Sequence, residues 1–314
     1  MTVSLTAQLA MPNAAHLFDQ VCLNAPWALR MAEAGSRAGQ RVVICAAGPS
    51  LADLADQLPD ADEVWACNSA LPYLLGRGVR VTHGITIDHG EGMLADHEFG
   101  GGHDVAYYLA SGVFPGLVQR LAGCGRTLTF FHSWIGTPAP AGWAHADPAM
   151  DFEQFCYRRL YKPSVCLGRG LNTGVRAVGL AVAMGFDEIL VVGNDCAARP
   201  DAPPMPDPRD PAWVDWLGEL VLYADGRTAR CYGDDGPIAE AVFEGRRWHT
   251  RPDMLVSAVH LLELMQESPG RIRLLGDGLP QVFLREGPAI LAELPALAAD
   301  GQVLNFALHE ALAR

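Results

Sequence analysis

Several polar residues stand where a buried apolar run ends. Ser50 follows Val42–Ala46, Asn68 follows Glu63–Cys67, Asp88 follows Val79–Ile87, and Asn194 and Asp195 follow Ile189–Val192. In an open α/β sheet, ligands bind outside the carboxyl ends of the strands, so residues in these positions are expected to converge on one crevice. The turn Gly48-Pro49-Ser50 is the most suggestive. Gly48 allows close backbone approach, Pro49 fits a first helical turn, and Ser50 offers a hydroxyl beside free N–H groups. The expected guest is an anion, most simply a nucleotide phosphate. The turn is neither Gly-x-Gly-x-x-Gly nor a Walker loop with its Lys. A plain βα turn is the competing reading.

A second loop, Gly168-Arg-Gly-Leu-Asn-Thr-Gly174, opens another helix rich in small residues. Asn172 and Thr173 can cap it and donate hydrogen bonds, while Gly170 and Gly174 permit close packing. A second anion or sugar contact is expected there, against the simpler reading of a turn that only lets helix and sheet approach. Asp88, followed by His89, could hold Mg²⁺, an ion commonly bound by one or two carboxylates plus substrate phosphates. His249, in Trp248-His249-Thr250, has the titration range of a general base. A lone histidine before a helix is more often structural. Thr250 reads as the cap of that helix, and Asn68-Ser69 as a cap of the helix after strand two. Arg246 and Arg247 are placed to meet a phosphate or simply to face solvent.

These residues need a scaffold. Val42–Ala46, Glu63–Cys67, Val79–Ile87, Val105–Leu109, Thr127–Phe131, Ile189–Val192 and Ile272–Leu275 read as strands. Helical spacing follows over 51–57, around Tyr73–Gly76, near Gly116–Ala122 and from Val175 to Gly185. Strand and helix alternate, so the expected fold is α/β and Rossmann-like. It has a mostly parallel sheet with helices on both faces, a helical N-terminal lead-in and C-terminal elements. The chain divides into a lead-in (1–40), a nucleotide-binding core (41–196), a Pro-rich lid or insertion (197–250) and a C-terminal part completing the core (251–314). Six prolines between Ala197 and Pro211 mark the lid, and Ser133–Pro148 reads as a loop walling the site. Trp213–Leu222 reads as a helix through Trp213, Trp216, Leu217 and Leu220. Pro252–Gln266 reads as an amphipathic helix with Leu255, Val259, Leu262 and Met265 on one stripe.

Composition narrows the partners. A formal net charge of −13 argues against sequence-independent nucleic-acid binding. No apolar run reaches bilayer length and no signal peptide opens the chain, so a cytoplasmic protein without a transmembrane segment is expected. None of the eight cysteines forms Cys-x-x-Cys, and Cys45 and Cys67 lie in buried strands; they are expected as reduced core residues. Homo-oligomerisation is compatible with all of this.

The stretch Val42-Val-Ile-Cys-Ala-Ala-Gly-Pro-Ser-Leu51, with Cys67-Asn-Ser-Ala70 and Ile85-Thr-Ile-Asp88, resembles the MptE-like family. Leu171-Asn-Thr-Gly-Val175 and Ala183-Met-Gly-Phe-Asp-Glu-Ile-Leu-Val-Val-Gly-Asn-Asp195 extend the resemblance over roughly residues 41–280. That family includes archaeal 6-hydroxymethyl-dihydropterin diphosphokinases and motility accessory factors that glycosylate flagellin. The Gly-Pro-Ser-Leu loop is also similar to that of bacterial sialyltransferases using CMP-activated nonulosonic acids. The resemblance implies cytidine-nucleotide contacts by Gly48, Ser50 and Asn68 and a base at His249. Ala47 stands where those sialyltransferases have Asn. Asp88 stands alone where the diphosphokinases carry Asp-x-Asp. The expected function is glycosyl transfer from a CMP-sugar to an unknown acceptor. The alternatives are Mg-dependent diphosphoryl transfer from ATP to a pterin-like alcohol, or nucleotide binding without catalysis.

Overall fold

The computed structural model describes residues 14–97, 104–133, 152–162, 164–168, 170–198, 213–217, 220–223, 228–230, 239–243, 245–250 and 252–286. In chain order the principal elements begin with α1 (Ala14–Asn24), β1 (Arg41–Cys45), α2 (Ser50–Leu54), β2 (Glu63–Cys67), α3 (Ala70–Gly76) and β3 (His83–Thr86). Next come β4 (Ala106–Ala110), α4 (Pro115–Gly123), β5 (Leu128–Ser133), α5 (Phe152–Phe155), β6 (Cys166–Leu167), α6 (Thr173–Met184) and β7 (Glu188–Val192). The strands β8 (Trp213–Leu217), β9 (Leu220–Tyr223), β10 (Thr228–Arg230), β11 (Ala239–Phe243) and β12 (Arg246–Thr250) follow, then α7 (Pro252–Glu267), β13 (Ile272–Leu274) and α8 (Leu279–Glu286).

Eight strands form one parallel sheet in the order β13-β7-β1-β2-β3-β4-β5-β6. Sheets of this kind are covered on both faces, which is why Val42–Cys45 and Ile189–Val192 are uninterrupted apolar runs, and all eight residues are buried. The order reverses at β1: the chain moves one way from β1 to β6, then returns to lay β7 on the other side. Right-handed crossovers therefore place α2 and α6 on opposite faces and open a crevice between the ends of β1 and β7. Gly185, with φ of 89°, ends α6 in the left-handed conformation that glycine accepts without strain.

Three sequence expectations change. The lead-in is helical over α1, but residues 30–32 are extended and lie against β5: Phe130 N–H donates to Arg30 O and Ala32 N–H to Phe130 O. The third strand is shorter than Val79–Ile87, because Val79–Thr82 only leads into it. Trp213–Leu222 is not a helix but the antiparallel pair β8–β9. Its aromatic and β-branched residues suit a ladder as well as a helical stripe. The loop 134–151 and the Pro-rich run 199–212 lie outside the described residues.

A buried polar knot ties the amino-terminal half of the sheet together. Glu63 accepts from Arg37 Nε at 2.6 Å and from Trp65 Nε1 at 2.6 Å, and His83 Nδ1 lies 3.2 Å from its carboxylate. Burial nevertheless pulls the His83 pKa down to about 4: desolvation, with Arg37 acting in the same direction, outweighs the carboxylate. Burial also takes His97 to about 4, and neither of its ring nitrogens has a partner. Both imidazoles are thus neutral when folded and protonate near pH 6.5 when unfolded. Stability is complete above about pH 6.5 and falls as pH drops toward 4, by roughly 3 kcal/mol for each imidazole. Urea unfolding at pH 7 and pH 4.5 checks this. His97→Leu should flatten the slope, and an unchanged slope would remove His97 from the account.

Candidate functional site

The carboxyl ends of β1 and β7 meet in a closed hydrogen-bond circuit. Ser50 N–H donates to Asp195 Oδ2 at 2.7 Å and Ser50 Oγ donates to Asp195 Oδ1 at 2.6 Å. Gly193 N–H in turn donates to Ser50 Oγ at 3.1 Å, and Gly48 N–H to Gly193 O at 2.6 Å. Ser50 and Asp195 are both buried. The anion at the start of α2 is therefore the protein's own carboxylate. Pro49 sits at the N-cap position with helical backbone angles and provides no side-chain cap, so Asp195 does that work from 145 residues away. The turn after β13 closes over the pair. A Cβ on Gly276 would lie 2.5 Å from Ser50 Cβ, and one on Gly278 2.5 Å from Asp195 Cα. Leu279 N–H donates to Asp195 O.

The ends of β2 and β3 meet the first turn of α6. Asn68 adopts φ of 46°, a conformation Asn tolerates better than other side-chain-bearing residues. Its Nδ2 donates to Asp88 and, at 3.1 Å, to Thr173 Oγ1. Its Oδ1 is buried with no partner. Ser69 is buried at the N-cap of α3 and makes no side-chain capping bond.

Asn172 caps α6 as expected, its Oδ1 accepting from Val175 N–H at 2.8 Å. Its Nδ2 faces Asn194 Oδ1 at 3.3 Å and Met254 Sδ at 3.6 Å. Asn194 is 8% exposed, and its Nδ2 has no partner. Gly174 lets this helix start seat closely, since a Cβ there would lie 2.9 Å from Asn194 Oδ1 and 3.1 Å from Ala46 Cβ. Gly170, at φ of 92°, receives support from both sides: its N–H reaches His260 Nδ1, and its carbonyl accepts from Arg176 Nε at 2.7 Å.

The structure thus brings together Asn68, Asp88, Thr173, Asn172 and Asn194 along one sheet edge, with Gly48, Ser50 and Asp195 locked beside them. Thr250 ends β12, just before α7. It is fully buried and its hydroxyl donates to Cys196 O at 2.5 Å, which seats the end of β12 beside the Asn172–Asn194 pair. His249 precedes it on β12, in register with Glu240; its side chain lies outside the described residues. Arg246 is exposed and pairs with Asp277 at 3.3 Å. Met254 and Cys196, which local sequence gave no reason to select, join the site through the positions of α7 and of the turn after β7. Cys196 holds φ of 56°, a left-handed backbone unusual for cysteine.

Among the described residues no three His, Cys, Asp or Glu side chains gather to cage a metal. Asp88 offers a single carboxylate, already accepting from Asn68, so a Mg²⁺ ion there would rely on substrate phosphates for its remaining ligands. All seven cysteines among the described residues are free, and Cys45 and Cys67 are buried.

A family model described as "6-hydroxymethylpterin diphosphokinase MptE-like" matches residues 27–201. Among solved structures, a MAf glycosyltransferase from Magnetospirillum magneticum AMB-1 is similar at 14% identity and a TM-score of 0.48, with 95% of this chain and 44% of that chain covered. The chain thus spans less than half the length of that protein. No curated protein gives a significant match.

Proposed function

The chain belongs to the MptE-like family, and from that premise we propose a nucleotide-dependent transferase whose donor lies across the carboxyl ends of β1, β2 and β7, against the first turn of α6. One observation carries this reading. Asn68 Oδ1 and Asn194 Nδ2, an acceptor and a donor, are buried and unpaired on either side of the α6 start. Buried polar atoms are normally satisfied, and a nucleotide edge would satisfy both.

The group transferred is a glycosyl unit from a CMP-nonulosonate-type donor, with His249 deprotonating the acceptor hydroxyl. The polar groups in the cluster are mostly neutral amides and a hydroxyl, which suit a nucleoside, a sugar and one phosphate better than the charge of a triphosphate. The nearby cation, Arg176, is held on the carbonyls of Leu167 and Gly170. The Thr250–Cys196 hydrogen bond supports His249 by seating its strand at the crevice.

A second reading, Mg-dependent diphosphoryl transfer from ATP to a 6-hydroxymethylpterin-like alcohol, is favoured by the Asp88 carboxylate beside Asn68 and Thr173. There the catalysis would be positioning and charge neutralisation, with Asp88 holding the metal.

Thermal-shift measurements with CMP, CDP, ATP and GTP, each with and without Mg²⁺, separate the readings, because a ligand that binds the folded state raises its apparent stability. Stabilisation by CMP without metal is expected. Stabilisation by ATP only with Mg²⁺ would install the second reading, and no shift with any of the four would sink both. Asn194→Ala should weaken the binding about tenfold, the loss of one buried hydrogen bond. Once donor and acceptor are in hand, full transfer activity in His249→Ala would remove the base from that residue.

A further inference from the structure

The surface next to α1, whose Asn24 side chain donates to the carbonyls of Ser111 and Val113 just after β4, carries a feature that transfer chemistry does not use. Of the five exposed large hydrophobic residues among the described ones, three lie in one short segment at and just after the end of α1: Leu23 at 59%, Trp27 at 41% and Leu29 at 88% exposure. Leu29 stands almost wholly clear of the protein. Arg30 beside it is exposed.

The turn after α5 runs alongside. It is a single π-helical turn, Cys156–Leu160, followed by Tyr161 and Lys162. Two anchors fix it to the Leu23–Leu29 segment. Tyr161 Oη donates to Val21 O at 2.7 Å on one side, and Val165 N–H donates to Ala32 O at 2.9 Å on the other. Arg158, Arg159 and Lys162 are exposed there, and Lys162 is the only lysine in the sequence. None of Arg30, Arg158, Arg159 and Lys162 has an ion-pair partner among the described residues. Four unpaired cations around protruding Trp and Leu side chains are unusual on a chain of net charge −13.

We propose that Trp27 and Leu29, flanked by Arg30, Arg158, Arg159 and Lys162, dock the protein reversibly on an anionic lipid bilayer. Charge complementarity points to an anionic occupant. The protrusion of Leu29 points to a soft one: a side chain that clears its own surface can enter the headgroup–acyl boundary, where Trp is also favoured, whereas a rigid partner would need a matching pocket. Local cations are attracted within a Debye length of the anionic surface; the exposed carboxylates Asp19 and Glu33 lie close in sequence to the patch and oppose docking, but the four cations outnumber them. Among the described residues no helix is long and apolar enough to cross a membrane, so attachment through this patch would be peripheral.

Co-sedimentation of the full chain with vesicles tests the proposal. The protein should pellet with phosphatidylcholine–phosphatidylglycerol vesicles at low salt, stay in solution with phosphatidylcholine alone, and be released by high salt. Leu29→Ser and the pair Arg158→Ala/Arg159→Ala should each weaken binding about tenfold, since both apolar insertion and surface cations contribute to such affinity. All these positions are exposed, so thermal midpoints should stay unchanged. Amine acetylation of Lys162 should be slowed on anionic vesicles. No binding to anionic vesicles, or binding that both variants retain, overturns the proposal. So does association with soluble polyglutamate or with a second copy of the chain that the same variants abolish while vesicles stay unbound; either result would assign the patch to a protein partner. None of these readouts depends on nucleotide binding.

Discussion

Replacing Asp195 with Ala should lower the unfolding free energy by about 3–4 kcal/mol in the absence of any ligand, because two charge-assisted hydrogen bonds disappear and the Ser50 N–H and hydroxyl are left buried and unpaired. Both Asp195 oxygens receive a Ser50 donor, and the turn at Gly276–Leu279 closes over them, so water is poorly placed to substitute. Ser50→Ala should cost less, about 2 kcal/mol, since the amide bond to Asp195 survives while one carboxylate oxygen and the Gly193 N–H lose their partner. The two substitutions act on one circuit and cannot add. The double variant should fall short of the summed losses by at least about 1 kcal/mol. Urea denaturation of the four proteins measures all of this. If Asp195→Ala instead left stability intact and removed only nucleotide binding, the carboxylate would be a ligand group and the closed circuit a poor description of the site.

Much of the scaffold could be read from the chain because parallel sheets leave a plain signature. Val42–Cys45 and Ile189–Val192 are apolar on both faces since helices cover both, and Gly185 stops α6 with the left-handed turn that glycine favours. The positions of Asn68, Asp88, Asn172 and Asn194 were legible for a related reason: each follows a strand or opens a helix, and the crevice lies where strands end. Their mutual pairing was not. Asn68 meets Thr173 across 105 residues and Ser50 meets Asp195 across 145, and no local spacing encodes a bond that strand order creates. Trp213–Leu222 shows the opposite failure. Its residues satisfy a helical stripe and a ladder equally, so pairing with a neighbouring strand decides the outcome. Residues 30–32 carry no strand pattern at all; β5 and Val165 supply the hydrogen bonds that make them extended.

Gly48 gives the second large effect and separates two meanings of the same residue. Read locally, its missing side chain lets a ligand phosphate approach the backbone. In the folded chain the space is already taken: a Cβ on Gly48 would run into Gly193 O and lie 2.6 Å from Asp195 Oδ2. The obstacle is a backbone carbonyl and a carboxylate fixed by two hydrogen bonds, neither of which can swing aside. Gly48→Ala should therefore destabilise the ligand-free protein by about 3 kcal/mol or more, at the upper end of overpacking costs. A cradle for phosphate predicts something different, namely unchanged stability without ligand and a loss confined to nucleotide affinity. Denaturation of Gly48→Ala in the absence of nucleotide distinguishes them. A loss of under about 1 kcal/mol would mean that the β1–α2 turn can relax away from Gly193, returning Gly48 to the ligand. The larger loss would make Gly48 and Asp195 parts of one internal clamp. That clamp would set the ends of β1 and β7 at a fixed separation and leave the unpaired amide atoms of Asn68 and Asn194 as the polar groups still to be satisfied, as the proposed nucleotide site requires.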